Sequence, residues 1–278
     1  MHFTMEFPLF IWFVGAGLLL MGFYAFAIER FRLEVRRVDI PLSKLPRSCS
    51  GLRIALFSDV HLSIFYSPKR LSGVVELINR EHPDIVCFTG DFLDAHAGTG
   101  VLREAAPILG RLKASLGKFA VLGNHDCWAG VNRVGRTLEL GGFRVLSNDH
   151  AVLQKNRDRL YMIGLADVSK GRPDLTKAML EIPEEACSIL LVHEPDFADT
   201  VARRPVSLQL SGHSHGGQVR LPYIGPLITT RLGRKYHSGL YKIDNLLLYT
   251  TWGVGTTLLP VRFFCRPEIT IITLNPIN

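Results

Sequence analysis

The chain has 278 residues, of which 47% are hydrophobic; that excludes a disordered or fibrous protein and allows a sizeable core in one large domain or two small ones. Its 32 Lys and Arg outnumber 25 Asp and Glu, for a formal charge of +7. The five cysteines (Cys49, Cys87, Cys127, Cys187 and Cys265) are odd in number, widely spaced and form no C-x-x-C pair. This argues against a disulfide framework and for a reducing compartment.

From Phe7 to Ala27 runs a stretch of 21 residues without a charge. As a helix it would be about 31 Å long, which matches the hydrocarbon core of a bilayer. Trp12 and Tyr24 lie within it, Arg30, Arg32, Arg36 and Arg37 follow it, and no Lys or Arg precedes it. The positive-inside rule then makes residues 7–27 a single-pass anchor in the inner (cytoplasmic) membrane, with the rest of the chain facing the cytoplasm. A cleaved signal peptide is the rival, since Ala25-Phe26-Ala27 has the A-x-A form, but the basic n-region is missing and the arginines lie on the wrong side. The expected organisation is an anchor over residues 1–29, a polar juxtamembrane linker over 30–50 with Pro41 and Pro46, and a domain over 51–278.

Within that domain, short apolar runs bounded by Gly, Asp or Asn predict strands at Leu52–Phe57, Asp84–Phe88, Lys118–Leu122, Leu160–Leu165, Ser188–Val192 and Ser207–Leu210. Helical spacing predicts helices over Leu71–Arg80 and Val101–Leu112. The later runs Leu240–Ile243, Leu246–Thr251 and Ile269–Leu274 lack intervening helices and read as hairpins or edge strands. The fold class is α/β, with two packed mixed sheets flanked by helices.

Seven candidate metal ligands follow these strands: Asp59 and His61, Asp91, Asn124, His193, and His213 with His215. In α/β sheets ligands bind beyond the carboxyl ends of strands, so folding can gather the set at one rim. A carboxylate can bridge two cations, imidazole gives a directional nitrogen and Asn a neutral oxygen; together they suffice for two divalent ions, a tool for phosphoester hydrolysis. Glycines 90, 123 and 212 allow sharp turns beside the site. Singly each signal is weak, because a lone His on an apolar strand is commonly a satisfied core residue and Gly123-Asn124 alone is a turn. Two imidazoles at 213 and 215 beside glycines have few structural uses. Asp126 reads as the residue holding the turn.

The ordered set D-x-H, G-D, G-N-H-D, H and G-H-x-H resembles the calcineurin-like metallophosphoesterase superfamily. The string Ser211–Gln218, with Pro260-x-Arg262 and Pro267-Glu268, resembles its membrane-associated bacterial phosphodiesterase branch. The resemblance implies a metallophosphoesterase sandwich with two divalent ions, manganese or else iron or zinc. Asp59, His61 and His215 would hold one and Asn124, His193 and His213 the other, Asp91 bridging. A metal-bound hydroxide would be the nucleophile. His125 would serve the leaving oxygen, and Asp94 resembles the carboxylate that orients this His in phosphoprotein phosphatases. The next residue is Ala95, so the arginine of their D-R-G motif is absent.

Between Arg203 and Arg266 nine Lys or Arg face one acid, Asp244, so this segment carries +8. It reads either as an electropositive surface facing anionic lipid or a phosphate-bearing substrate, or as solvated loop charges. Arg262 and Arg220 are candidate phosphate partners. Ile64, Phe65 and Tyr66 are candidates for an acyl or nucleobase pocket or for ordinary core. Leu258, Leu259, Phe263 and Phe264 suit a membrane surface or a final strand. The expected activity is hydrolysis of a phosphodiester or pyrophosphate on a lipid-linked or nucleotide-sugar substrate such as UDP-2,3-diacylglucosamine. The alternatives are a general phosphodiesterase or phosphomonoesterase on soluble substrates, and a non-catalytic scaffold. No nucleic-acid module accompanies the basic segment, so nucleic acid is not an expected partner.

Overall fold

A computed structural model describes residues 6–94, 97–98 and 100–277. The first five residues of the expected anchor, Ala95 and His96 beside Asp94, Thr99 and the terminal Asn278 lie outside the described residues.

The apolar segment is a single helix, α1 (Glu6–Ala27). Large side chains along it, among them Phe10, Trp12, Phe13, Leu18, Leu19 and Leu20, are exposed. Among the described side chains no large apolar residue before Tyr24 is buried, the condition expected of a helix that meets lipid. Tyr24 and Ala25, at its end, are covered by the rest of the chain.

Beyond it the order is β1 (Glu34–Leu42), β2 (Leu52–Phe57), α2 (Pro68–Arg80), β3 (Ile85–Thr89), α3 (Gly100–Gly110), β4 (Gly117–Val121), α4 (Asn124–Ala129), α5 (Val131–Leu140), β5 (Arg144–Val145), β6 (Asp149–Lys155), β7 (Asp158–Gly164), β8 (Ser188–Leu191), β9 (Leu208–Ser211), β10 (Arg220–Leu221), β11 (Gly225–Pro226), β12 (Gly239–Ile243), β13 (Leu246–Thr250) and β14 (Glu268–Pro276). One six-stranded sheet runs β1-β14-β2-β3-β4-β5 and the other β12-β13-β9-β8-β7-β6, with β10 and β11 as a separate hairpin. Strands β2, β3 and β4 are parallel, as are β7, β8 and β9, so their carboxyl ends share a rim.

Alternation inside the apolar runs explains the layering. Leu52, Ile54 and Leu56 of β2, with Ile85 and Cys87 of β3, meet Ile189 and Leu191 of β8 and Leu208 and Leu210 of β9 between the sheets. Ala55, Phe57, Val86 and Phe88 face the other way, onto Leu71, Val74, Val75 and Ile78 of α2 and residues of α3 and α5. Leu190, Val192 and Leu248 back the second sheet. Both faces of these strands are buried, which is why they read as unbroken apolar runs. The five cysteines are free thiols.

Two expectations are corrected. Residues 30–50 are not merely a linker, because β1 pairs in parallel with β14 over nine residues, from Glu34 opposite Glu268 to Leu42 opposite Pro276. The charges that made this segment look like a linker belong to an edge strand, where polar side chains are usual. Arg36 approaches the buried Glu268 (3.5 Å) and lies over the Trp252 ring, while Arg37 pairs with Glu81; Ile40 and Leu42 point inward. In consequence β14, expected at an edge or in a hairpin, lies inside its sheet between β1 and β2. The β12–β13 run does form the hairpin.

Arg262 is also not where the sequence suggested. It is fully buried and heads the largest buried side chains. Its guanidinium donates to the carbonyls of Trp252, Gly253, Gly255, Cys265 and His215 at 2.7–3.5 Å. A fork with every face given to backbone carbonyls has no direction left for a phosphate. It ties the 252–255 and 262–265 segments to the backbone of a candidate ligand.

Ile40→Ala should lower stability by about 2–5 kcal/mol in denaturant melts, the usual cost of a large-to-small core change. A residue in a true linker would change it by less than about 0.5 kcal/mol. Arg262→Met should cost ~3 kcal/mol or more, because it leaves several buried carbonyls without donors. The loss should appear in melts of the protein without substrate, where a pure phosphate-binding residue would register nothing.

Candidate metal centre

The seven candidate ligands converge at the shared rim. Asp59, Asp91 and Asn124 stand two or three residues beyond β2, β3 and β4, and His193 and His213 two residues beyond β8 and β9. The strand ends of the two sheets are stitched together there. His193 Nδ1 meets the Thr89 carbonyl at 2.7 Å, and the His213 N–H donates to the Asp59 carboxylate at 3.1 Å.

Local backbone turns the side chains inward. Asp59, His61, Asp91, His213 and His215 all have φ between 48° and 65°. Non-glycine residues rarely adopt this left-handed region, at a cost of order 1–3 kcal/mol each, and such strain clusters at functional sites. Gly90 has φ of 99°, and a Cβ there would lie 2.7 Å from both Gly123 N and His193 Nδ1. Asp126, fully buried, accepts from the N–H groups of Phe92 (2.8 Å), Leu93 (3.0 Å) and Gly123 (3.0 Å). One carboxylate thus locks the loop after β3 to the loop after β4, as its reading as a turn-holding residue required.

Ligand atoms fall into groups within 4.8 Å of one another: Asp59, His61 and His215; Asp91, His193 and His213; and His61, Asp91 and His125. Asp91 belongs to the second and third groups and also reaches toward the first, 3.5 Å from His61 Nε2 and 3.3 Å from His193 Nε2. Backbone carbonyls set the tautomers on one side. If Thr89 takes the His193 Nδ1 proton and Arg231 the His213 Nε2 proton (2.7 Å), the lone pairs of His193 Nε2 and His213 Nδ1 face each other at 3.1 Å. On the other side His61 Nε2 and His215 Nε2 also lie 3.1 Å apart. The buried Asn124 Oδ1 has no hydrogen-bond partner among the described residues. Opposed lone pairs, an orphaned amide oxygen and adjacent carboxylates form a donor set that fits divalent cations.

Without such a cation the cluster answers its charge by protonation: burial lowers His193, but Asp91 and Asp59 outweigh it and hold that imidazole well above the usual histidine range. Burial, reinforced by Asp91, raises the Asp59 carboxyl to about 6. Burial also raises the Asp126 carboxyl to about 7. Burial would raise Asp91 as well, but His193, His61 and His125 hold it well below the usual carboxylate range. Burial lowers His61 and His213 to about 4 each, so these imidazoles are neutral and free to coordinate.

Beside the cluster opens a cleft of about 370 Å³, lined by Ser63, Phe65, Asp94, His125, Trp128 and residues 256–260. His125, at the start of α4, donates its N–H to Asp91 Oδ1 (2.9 Å), and its ring lies edge-on to His61 and against Trp128. Asp94 shares the cleft with it. The trio after the first motif divides: Phe65 lines the cleft, Ile64 projects into solvent and Tyr66 is core. Arg220 is not brought to the cleft; its guanidinium donates to the Gly216 carbonyl (2.8 Å) and lies over Trp252. The basic excess does not form one surface beside the ligands, since Lys235 pairs with Asp199 and Arg266 with Glu34 while Arg262 is internal. Trp128 and Thr256 were missed. Trp128 was findable, being three residues after His125 on one helix face; Thr256 has no local signal.

The family described as calcineurin-like phosphoesterase matches residues 52–217. The Bacillus subtilis protein named uncharacterized metallophosphoesterase YkuE is 37% identical over 257 residues, covering 92% of this chain and 90% of that protein. The Escherichia coli phosphodiesterase YaeI is 30% identical over 235 residues, covering 82% and 83%. A Danio rerio protein named transmembrane protein with metallophosphoesterase domain is 35% identical over 257 residues, covering 87% of this chain and 57% of that one. The family uses pairs of divalent metal ions, in keeping with the clusters at this rim. The chain belongs to the calcineurin-like metallophosphoesterase family and is a metal-dependent phosphoester hydrolase.

Proposed function

We propose that this protein is a membrane-anchored hydrolase, facing the cytoplasm from the inner membrane, that cleaves phosphodiester or pyrophosphate bonds of a lipid-linked or nucleotide-sugar substrate such as UDP-2,3-diacylglucosamine. The observation that carries the reading is the cleft itself. Its walls at Phe65, Trp128, Leu258, Leu259 and Pro260 are apolar, while His125 and Asp94 supply polar groups. The wall segment 256–260 runs directly into residues on which α1 docks: the Arg262 N–H donates to the Ala25 carbonyl at 3.1 Å, and Phe263 meets Tyr24 edge to face. A relative named as a transmembrane protein supports anchoring, and four arginines just after α1 support the orientation.

In this reading Asp59, His61 and His215 would hold one cation and Asn124, His193 and His213 the other, and Asp91 would serve both. When bound, two divalent ions, manganese foremost, supply Lewis acidity to the phosphoryl oxygens and lower the pKa of the attacking water. The protein supplies the rest. Asp126 keeps the Asp91 and Asn124 loops in register, and the Thr89 and Arg231 carbonyls hold two imidazoles in the coordinating tautomer. His125 donates a proton to the leaving oxygen, with Asp94 beside it as the orienting carboxylate. Apolar walls exclude bulk water and accept acyl or ring surface.

Full-length protein in detergent micelles with Mn²⁺ should hydrolyse a bis-aryl phosphodiester. Chelation should abolish the activity, and restoring Mn²⁺ should return it. Asp91→Asn should remove at least about a hundredfold of the rate by weakening a ligand shared by two ions. Wild-type protein inactive with every divalent metal would defeat the enzymatic reading. His125→Ala should lower kcat by about 10²–10⁴-fold, as loss of a general acid does, while metal content by mass spectrometry stays unchanged. Metal lost in step with activity would make His125 a ligand instead. A panel of acylated and unacylated substrates tests the lipid reading: uniform rates across it would favour a general phosphodiesterase.

A further inference from the structure

The excursion between His215 and Arg231 supplies none of the seven candidate ligands, yet it carries a concentration of exposed apolar side chains. It forms the small hairpin of β10 and β11, with Arg220 opposite Pro226 and Leu221 opposite Gly225. Tyr223 at its tip is fully exposed, and Ile224, Leu227 and Ile228 are 71%, 51% and 77% exposed. Four large apolar side chains on a short polar-poor excursion are a poor surface to leave in water.

The base of the hairpin says what covers it. The Arg220 N–H donates to the Phe263 carbonyl (2.9 Å), and the Phe263 N–H donates to the Gln218 carbonyl (2.8 Å). The same strip receives the end of α1. The Arg262 N–H donates to Ala25, the Cys265 N–H donates to the Glu29 carboxylate (2.6 Å), and the Phe263 ring meets Tyr24. Hairpin and helix exit therefore grip opposite sides of residues 262–265. Phe264 within that strip and Leu259 just before it are exposed. Between Arg204 and Asp244 there is no acidic residue, and Arg231 and Arg234, just past the hairpin, are exposed. An apolar tip with basic flanks beside a membrane helix is the composition of an interfacial contact with anionic lipid.

We propose that the β10–β11 hairpin, with Leu227 and Ile228, is a second membrane contact that inserts into the lipid interface beside the exit of α1. The inference rests on α1 being the anchor. It has a consequence for the metal centre. The chain leaving the hairpin returns through Thr230, whose hydroxyl donates to the His213 carbonyl (3.2 Å), and Arg231, whose carbonyl accepts from His213. The contact thus fixes the height of the ligand rim above the bilayer as well as its tilt, which a single helix cannot set. A protein partner would need the same apolar tip, but nothing else in the hairpin's surroundings points to one.

The test uses full-length protein in nanodiscs of phosphatidylethanolamine with a minority of phosphatidylglycerol. The background is Cys127→Ser, since the other four thiols are buried. An environment-sensitive fluorophore is placed singly at Leu19→Cys in α1, at Ile224→Cys, at Ile228→Cys, or at Leu180→Cys in the exposed loop entering β8 from the edge opposite the rim. Lipids brominated near the headgroup serve as the quencher. Emission at 224 and 228 should shift to the blue and be mostly lost to the quencher, while emission at 180 is retained. Hydrolysis of the soluble diester checks that each labelled protein is folded, and either hairpin position suffices if the other fails that check. Quenching at 19 by lipids brominated deep in the acyl chain, with 224 and 228 behaving like 180, would overturn the hairpin contact and leave the anchor standing; that outcome would point to a protein-facing or solvated tip. Loss of quenching at 19 with quenching kept at 224 would remove the anchor and retain the contact. Absence at all positions would remove both.

Discussion

Two carboxylates, Asp59 and Asp91, are buried together at the seam of two sheets, with no Lys or Arg side chain paired to either among the described residues. Negative charge in a low-dielectric interior has to be met locally, by hydrogen bonds, by protonation or by a cation. Four imidazoles surround the pair: burial pushes His61, His213 and His215 toward neutrality, while His193, against the pull of burial, is raised by Asp91. A cluster of this kind is stable as a cation site and costly as anything else. Much of the surrounding structure follows from building it: parallel strands that end together, left-handed ligand residues, and close backbone approaches at Gly90 that no side chain would permit.

The supports lie one layer away from the ligands and are made mainly of backbone. Asp126 collects three N–H groups from two loops, and Arg262 collects five carbonyls from three segments. These two residues do opposite jobs with the same economy, a carboxylate gathering donors and a guanidinium gathering acceptors. Each lies close in sequence to a candidate functional group, which is why reading Arg262 as a phosphate partner was reasonable and wrong. The 262–265 strip that Arg262 stabilises also carries the end of α1 and the base of the β10–β11 hairpin. The fold therefore ties the geometry of the ligand rim to the place where the chain leaves the membrane-length helix.

The central strands and the first two helices of the domain were legible because burial on both faces writes an unbroken apolar run and burial on one helix face writes a 3.6-residue period. β1 was not legible. Its partner on one side is solvent, so Arg36, Arg37 and Asp39 sit on a strand without contradicting it, and only the parallel pairing with β14 reveals the register. The interior position of β14 was hidden for the same reason, since its second neighbour comes from the other end of the chain. The hairpin at 220–226 is too short to have a period at all.

For the site, residue chemistry and order along the chain were enough to nominate Asp59, His61, Asp91, Asn124, His193, His213 and His215, because mixed carboxylate, amide and imidazole donors after successive parallel strands have one natural meeting place. The same was true of His125 as a neighbour of the ligands and of an apolar helix long enough to span a bilayer. Tertiary structure alone decided which imidazole nitrogens face inward, since that depends on carbonyls at Thr89 and Arg231 far away in sequence. It alone separated Phe65 in the cleft from Tyr66 in the core, and Arg262 in the interior from the surface charge it resembled. A side chain's identity states what it can bond to; only the packed chain determines what is within reach.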